Sequence, residues 1–230
     1  YTGSRILSTY NPKKFEEIST GSNGFAIAPK KSASGNALLY INPHVTFYFR
    51  PEVHMVSEEG LNVYGAVTWG QFFIYQGFNE NCGWMHTTSY TLHGPVMAFR
   101  DNHYITVKSS NRMMNGLIQS WQRTKAKGLA DYTRTMELKG NTSNSTVFAD
   151  NKGNIAYWHG NYIPVRSTKY NWSKPVPGSL EETNWKGTHA LKDIVQMINP
   201  STGFIQNCNS TPYTVSGASS PLKMNYPKYM

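Results

Sequence analysis

The chain has 230 residues, 39% of them apolar, and a formal net charge of +9. That much apolar side chain buries one substantial core and excludes a disordered chain, while no apolar run is long enough to cross a bilayer as a helix. The lysines and arginines are spread from Lys13 to Lys228 without a block of like charge, which reads as a solvated basic surface and not as a nucleic-acid footprint.

The opening Tyr1-Thr2-Gly3-Ser4-Arg5 lacks the regions of a signal peptide, and residues 1–21, with Lys13, Lys14, Glu16, Glu17 and no apolar face, read as a linker. Strands are predicted at Gly24 to Ala28 and Ala37 to Ile41, joined by a turn at Ala33-Ser34-Gly35-Asn36. Val45 to Phe49, Asn62 to Val67 and Phe72 to Tyr75 are rich in β-branched and aromatic residues and are predicted strands as well. Leu117, Ile118 and Trp121, then Leu129, Tyr132 and Met136, recur at helical spacing, with Gly128 breaking the run into two short helices. Strands return at Ser145 to Phe148 and Asn154 to Trp158 around the hairpin turn Asp150-Asn151-Lys152-Gly153. After Pro164, proline and glycine thicken and loops wrapping a sheet core are expected. Strands, a helical pair and strands again fit an α+β layered domain better than a doubly wound parallel sheet.

Ser22 follows Gly21 at the head of the first strand. A Gly–Ser peptide bond offers little steric obstacle to attack by the neighbouring hydroxyl. If that bond is cut, Ser22 gains an α-amine whose reference pKa of roughly 7.7 to 8 suits it to deprotonate its own hydroxyl. His54, His86, His93, His103, His159 and His189 never fall at the helical spacing, with a third ligand, that a zinc site favours, so no metal site is expected. Cys82 and Cys208 sit in no Cys-x-x-Cys spacing, and sequence alone does not pair them. Six tryptophans and fifteen tyrosines keep a second reading open, a non-catalytic β module binding carbohydrate, although aromatics build sheet cores more often.

From Ser22-Asn23-Gly24-Phe25 the chain resembles the penicillin acylase family of N-terminal-nucleophile (Ntn) hydrolases. Asn42-Pro43-His44, Tyr64-Gly65-Ala66, Gly77-Phe78-Asn79, Gly83-Trp84 and His93-Gly94-Pro95-Val96 continue the resemblance in order. Phe148-Ala149-Asp150, Gly153-Asn154-Ile155-Ala156-Tyr157, Trp185-Lys186-Gly187, Asn199-Pro200, Gly203-Phe204-Ile205 and Asn207-Cys208-Asn209 complete it. The resemblance implies an Ntn-hydrolase-type αββα sandwich of antiparallel sheets, here a fragment of the full fold. It implies cleavage between Gly21 and Ser22, catalysis by Ser22, and an oxyanion held by the Asn209 side chain and the Thr88 backbone N–H. His44 matches a polar position beside the serine that tunes and orients. By residues alone, Asn207 and Asn209 both read as turn formers before Pro212; the family match selects Asn209.

Between Thr91 and His93 the chain passes almost directly from one family block to the next, without the acidic pair that ligates calcium in some members, so no cofactor is expected. Residues 1–21 then read as the end of an upstream chain or spacer, and 22–230 as the N-terminal part of a catalytic chain whose upstream and downstream portions are its partners. The implied activity is hydrolysis of a linear amide between a hydrophobic acyl group and an amine, in the periplasm or outside the cell, with neither nucleic acid nor membrane as partner. The acyl group, whether phenylacetyl, glutaryl-like or fatty, is not fixed. Val45 and the Phe72-Phe73-Ile74-Tyr75 stretch, Tyr75 included, are candidate walls of its pocket, though a core strand has the same composition.

Overall fold

The computed structural model describes residues 21–44, 51–88, 96–108, 110, 113–141, 144–227 and 229. In chain order the strands are β1 (Gly21–Ile27), β2 (Leu38–His44), β3 (Glu52–Ser57), β4 (Leu61–Ala66), β5 (Gln76–Asn79), β6 (Cys82–Thr88), β7 (Val96–Arg100) and β8 (His103–Thr106). Helices α1 (Met114–Arg123) and α2 (Leu129–Met136) follow, then β9 (Asn144–Asp150), β10 (Ile155–Trp158), β11 (Gln196–Ile198) and β12 (Phe204–Asn207). They form a three-stranded sheet in the order β12-β1-β2 and a seven-stranded sheet in the order β11-β10-β9-β6-β5-β4-β3, with β7 and β8 as a separate hairpin. Neighbouring strands run antiparallel throughout.

Side chains alternate across these sheets with the period of two that a pleated strand imposes. On the face turned to the small sheet, the large sheet presents Met85, Val147, Ala149, Ile155 and Tyr157, which pack against Ala26 and Ile205. On its other face, Trp84, Phe148 and Trp158 pack against Tyr132 and Met136 of α2. Tyr132 is the centre of that aromatic group, with ring centroids 4.8 Å from Phe148 and 5.8 Å from Trp158. Such pairs contribute about 0.5–1.5 kcal/mol each beyond the area they bury. The layers among the described residues are therefore small sheet, large sheet and helical pair.

Gly128, at φ 148°, separates the helices as the sequence predicts. The turn after β9 forms as predicted too: Asp150 Oδ1 accepts from the backbone N–H groups of Lys152 and Asn154. The strand predicted at Val45 to Phe49 lies outside the described residues. Phe72 to Tyr75 is not a strand, a correction with a local cause. A turn closed by Gln71 N–H on the Thr68 carbonyl, with Gly70 at φ 81°, interrupts the chain there, and the strand resumes only at Gln76. The loops expected after Pro164 conceal two strands, of which β12 lies directly beside β1.

Candidate active site

The alternation along β1 turns Ser22, Gly24 and Ala26 toward the large sheet and leaves Phe25 facing outward. Ser22 is only 6% exposed, so its side chain lies in the layer between the sheets. Gly24 pairs with Asn207 of β12, and continuing that ladder by two residues would set residue 209 opposite Ser22. The backbone does not continue: β12 ends at Asn207, and Asn209 takes a left-handed φ of 60°, a conformation asparagine tolerates. Its side chain occupies the place of the missing strand, with Ser22 N–H donating to Asn209 Oδ1 at 2.9 Å.

A second asparagine shapes this turn. The Asn207 side chain is buried; its Oδ1 accepts from Asn209 N–H at 3.2 Å and from the Thr87 hydroxyl at 2.6 Å, and its Nδ2 donates to the Ser210 carbonyl at 3.1 Å. Thr87 is paired across the large sheet with Ser145, whose hydroxyl lies 2.9 Å from the Tyr157 hydroxyl and 3.1 Å from His159 Nδ1. The layer between the sheets is thus apolar at Met85 and Val147 and polar one pair further on. Burial pushes His159 down to about 4 and Tyr157 upward, so both are neutral at physiological pH. Among the described residues no carboxylate joins this cluster, and no group of three His, Cys, Asp or Glu side chains is placed to hold a metal ion.

The other sequence-predicted residues fall as follows. Gly21 opens β1 and pairs with His44 at the end of β2. His44 stands on the outward face of the small sheet, where its Nε2 is 2.8 Å from Asn42 Oδ1 and 3.1 Å from Asn23 Nδ2. Ser22 points to the opposite face, so His44 supports the start of β1 through Asn23 and does not meet the serine hydroxyl. Thr88 ends β6 one residue beyond Thr87, which sets its backbone at the same end of the sandwich as Asn207. Val45 lies outside the described residues. Tyr75 lies on the helical side of the large sheet, its ring 4.8 Å from that of His86, so β6 stands between it and Ser22.

Sequence reasoning brought Ser22 and Asn209 together and missed Thr87, Ser145, Tyr157 and His159. The signal available was the same-face switch from Met85 and Val147 to Thr87 and Ser145, which a strand-by-strand reading does not register.

The fold defines the class first. Over 88% of its length the chain matches 47% of a solved thermostable penicillin G acylase from Alcaligenes faecalis, with a TM-score of 0.68 at 17% identity, which establishes the Ntn-type sandwich. The penicillin amidase family profile matches residues 2–91 and 89–229, two stretches that meet where the sequence passes directly between family blocks. The chain belongs to the penicillin amidase family. Among curated relatives it is 29% identical over 127 residues to penicillin G acylase of Escherichia coli, covering 53% of this chain and 15% of that protein. It is 34% identical over 197 residues to acyl-homoserine lactone acylase PvdQ of Pseudomonas fluorescens Pf-5, covering 80% of this chain and 22% of the relative. A second such acylase, from Pseudomonas fluorescens Pf0-1, is 23% identical over 212 residues, 87% of this chain and 24% of the relative. The chain thus spans about a quarter or less of the length of these curated relatives.

Proposed function

We propose that the protein containing this chain is an amidohydrolase that frees Ser22 as an N-terminal nucleophile and cleaves linear amides bearing a hydrophobic acyl group. The observation that carries the reading is the contact between Ser22 N and Asn209 Oδ1. In maturation the Ser22 hydroxyl attacks the Gly21 carbonyl carbon, the C–N bond breaks as the acyl group passes to oxygen, and water hydrolyses the resulting ester. The products are a Gly21 carboxylate and a Ser22 α-amine.

In catalysis that amine takes the hydroxyl proton while Oγ attacks the substrate carbonyl carbon. The amine product leaves with the proton, an acyl ester remains on Ser22, and water releases the acid. Asn209 serves both ends of the reaction: Oδ1 holds the Ser22 nitrogen, and Nδ2 with the Thr88 N–H receives the oxyanion. Such a pair works by aiming dipoles, in a site where water is largely excluded, at charge that exists only in the transition state. Burial of Ser22 disfavours the ammonium form and so favours the unprotonated amine, and among the described residues no carboxylate hydrogen-bonds in this cluster to oppose it. His44 holds β1 in place through Asn23. The scheme requires no metal or cofactor.

The names of the relatives support an acylase, and the acyl class is read no more finely than hydrophobic. Phe25, Leu38 and Tyr40 on the outer face of the small sheet are exposed among the described residues. This apolar face supports completion of the fold by upstream and downstream portions of the longer protein. A periplasmic or secreted location follows the same reading.

The test is hydrolysis of chromogenic acyl anilides by the full protein. Activity with phenylacetyl or medium-chain acyl groups, an acyl adduct on Ser22 detected by mass, and loss of both in Ser22→Ala are expected. Unchanged hydrolysis by Ser22→Ala would defeat the proposal.

A further inference from the structure

Helix α1 packs with its polar side inward. Gln119, Ser120 and Arg123 are buried against the large sheet, while Leu117 and Ile118 are each 38% exposed and Met114 is 67% exposed. Of the expected apolar stripe Trp121 packs against the core, while Leu117 and Ile118 remain half-exposed. Between α1 and the sheet is a cavity of about 380 Å³, lined by Tyr75, His86, Ser120, Arg123 and Asn144 on its polar side and by Phe73 and Leu117 on its apolar side. That volume lies within the range of small-molecule sites.

Arg123 sets the character of the cavity. It is 3% exposed, with Nη1 2.7 Å from His86 Nε2 and Nη2 donating to the Tyr75 carbonyl at 2.9 Å. A guanidinium carries no lone pair to share, so His86 Nε2 is the acceptor, and the ring proton sits on Nδ1, 3.2 Å from the Thr146 hydroxyl. Both partners are neutral. Arg123 Nε is buried and makes no hydrogen bond of ordinary geometry; the Tyr132 hydroxyl lies beside the guanidinium and the Tyr75 ring centroid is 5.5 Å from its carbon, but among the described residues no carboxylate forms an ion pair with this side chain. Burial pulls the Arg123 pKa down against the opposing pull of Tyr132 and Tyr75, and a guanidinium stays charged in proteins. A buried cation without a counter-charge is costly, and an anion entering the cavity would remove that cost.

We propose that this cavity is a binding site for a small monocarboxylate with an apolar body. The carboxylate would meet the Arg123 guanidinium, and the body would lie against Phe73 and Leu117. Among the described residues neither a carboxylate nor a lysine lines the cavity, so none of them competes for the guanidinium. The site is on the helical face of the large sheet, opposite the layer that holds Ser22, and it does not depend on the amidohydrolase reading.

The experiment is calorimetric titration of the full protein with hexanoate, benzoate, hexanamide and inorganic phosphate. Hexanoate and benzoate should bind, with hexanamide at least about tenfold weaker because it forgoes the charge-assisted contact. Phosphate, lacking an apolar body, should bind more weakly than either acid. Arg123→Met should remove the preference for acid over amide, and Leu117→Trp, at the half-exposed rim, should weaken hexanoate binding while the fold is retained. A carboxylic acid could also enter beside Ser22 as a reaction product, and these two variants separate the sites because neither lies on that face. If Arg123→Met fails to fold, Leu117→Trp and the acid and amide pair still decide the matter. Equal affinity for hexanoate and hexanamide, no binding of either acid, or binding indifferent to Leu117→Trp would overturn the proposal.

Discussion

Asn209 and Asn207 stand two positions apart in one short segment and do different work. Asn209 touches the Ser22 nitrogen, whereas Asn207 ties the turn to Thr87 and to Ser210. On the proposed oxyanion role, Asn209→Ala should lower kcat by about 10²–10³-fold, and it should also cost about 1–2 kcal/mol of stability because alanine is strained at this left-handed φ. Asn207→Ala leaves the Thr87 hydroxyl and Asn209 N–H without their acceptor and should cost about 1–3 kcal/mol of stability, measured by urea unfolding. His159 predicts a pH effect whose sign follows from its depressed folded-state pKa, near 4 against an ordinary 6.5. Between those values the unfolded chain binds the extra proton, so stability falls as pH drops from about 6.5 to 4, by no more than about 3 kcal/mol. Unfolding curves at pH 7 and 4.5 check this, and His159→Asn should flatten the difference. The sequence made Ser22 and Asn209 legible because both sit in contiguous motifs. Thr87 and Ser145 were not legible, because their meeting depends on β6 pairing with β9, a strand far along the chain.

Strand packing is decided by close approaches as much as by apolar pattern. Gly65 and Gly77 face one another across β4 and β5, and a Cβ on Gly77 would land on the Tyr64 carbonyl oxygen and lie 2.8 Å from Gly65 Cα. Backbone cannot step aside there, so Gly77→Ala should cost about 3 kcal/mol or more. Gly24 is crowded only by the end of the Met85 side chain, which is flexible, and Gly24→Ala should cost less than about 1.5 kcal/mol. A double variant with Met85→Ala should show coupling in a mutant cycle for Gly24 and none for Gly77. Helix positions and the hairpin at Asp150 to Gly153 were readable because their periodicity and turn chemistry are local. The inward face of α1 was not, since Leu117 and Ile118 carry the helical spacing while Arg123 finds its partners in His86 and Tyr75 on distant segments. β12 escaped notice in a loop-rich stretch for the same reason: four residues become a strand only beside β1.

At the scale of the molecule, two sheets enclose a layer that is apolar along most of its length and polar where Ser22 sits. The two cysteines differ in exposure, Cys82 lying in the core on the helical face of the large sheet. Both are free thiols; Cys82 is buried, with burial and then Asp150 pushing it up to about 12, and Cys208 is exposed. An aromatic disulfide reagent should therefore modify Cys208 in the folded protein and reach Cys82 only after unfolding. On the proposed function, the Gly21–Ser22 peptide bond at the head of β1 is the bond to be broken. Intact mass with N-terminal sequencing of the purified full-length protein tests it directly. A chain beginning Ser22-Asn23-Gly24-Phe25 in the wild type and an uncut Gly21–Ser22 bond in Ser22→Ala are expected; an active wild-type protein whose Gly21–Ser22 bond is intact would refute self-cleavage at this site.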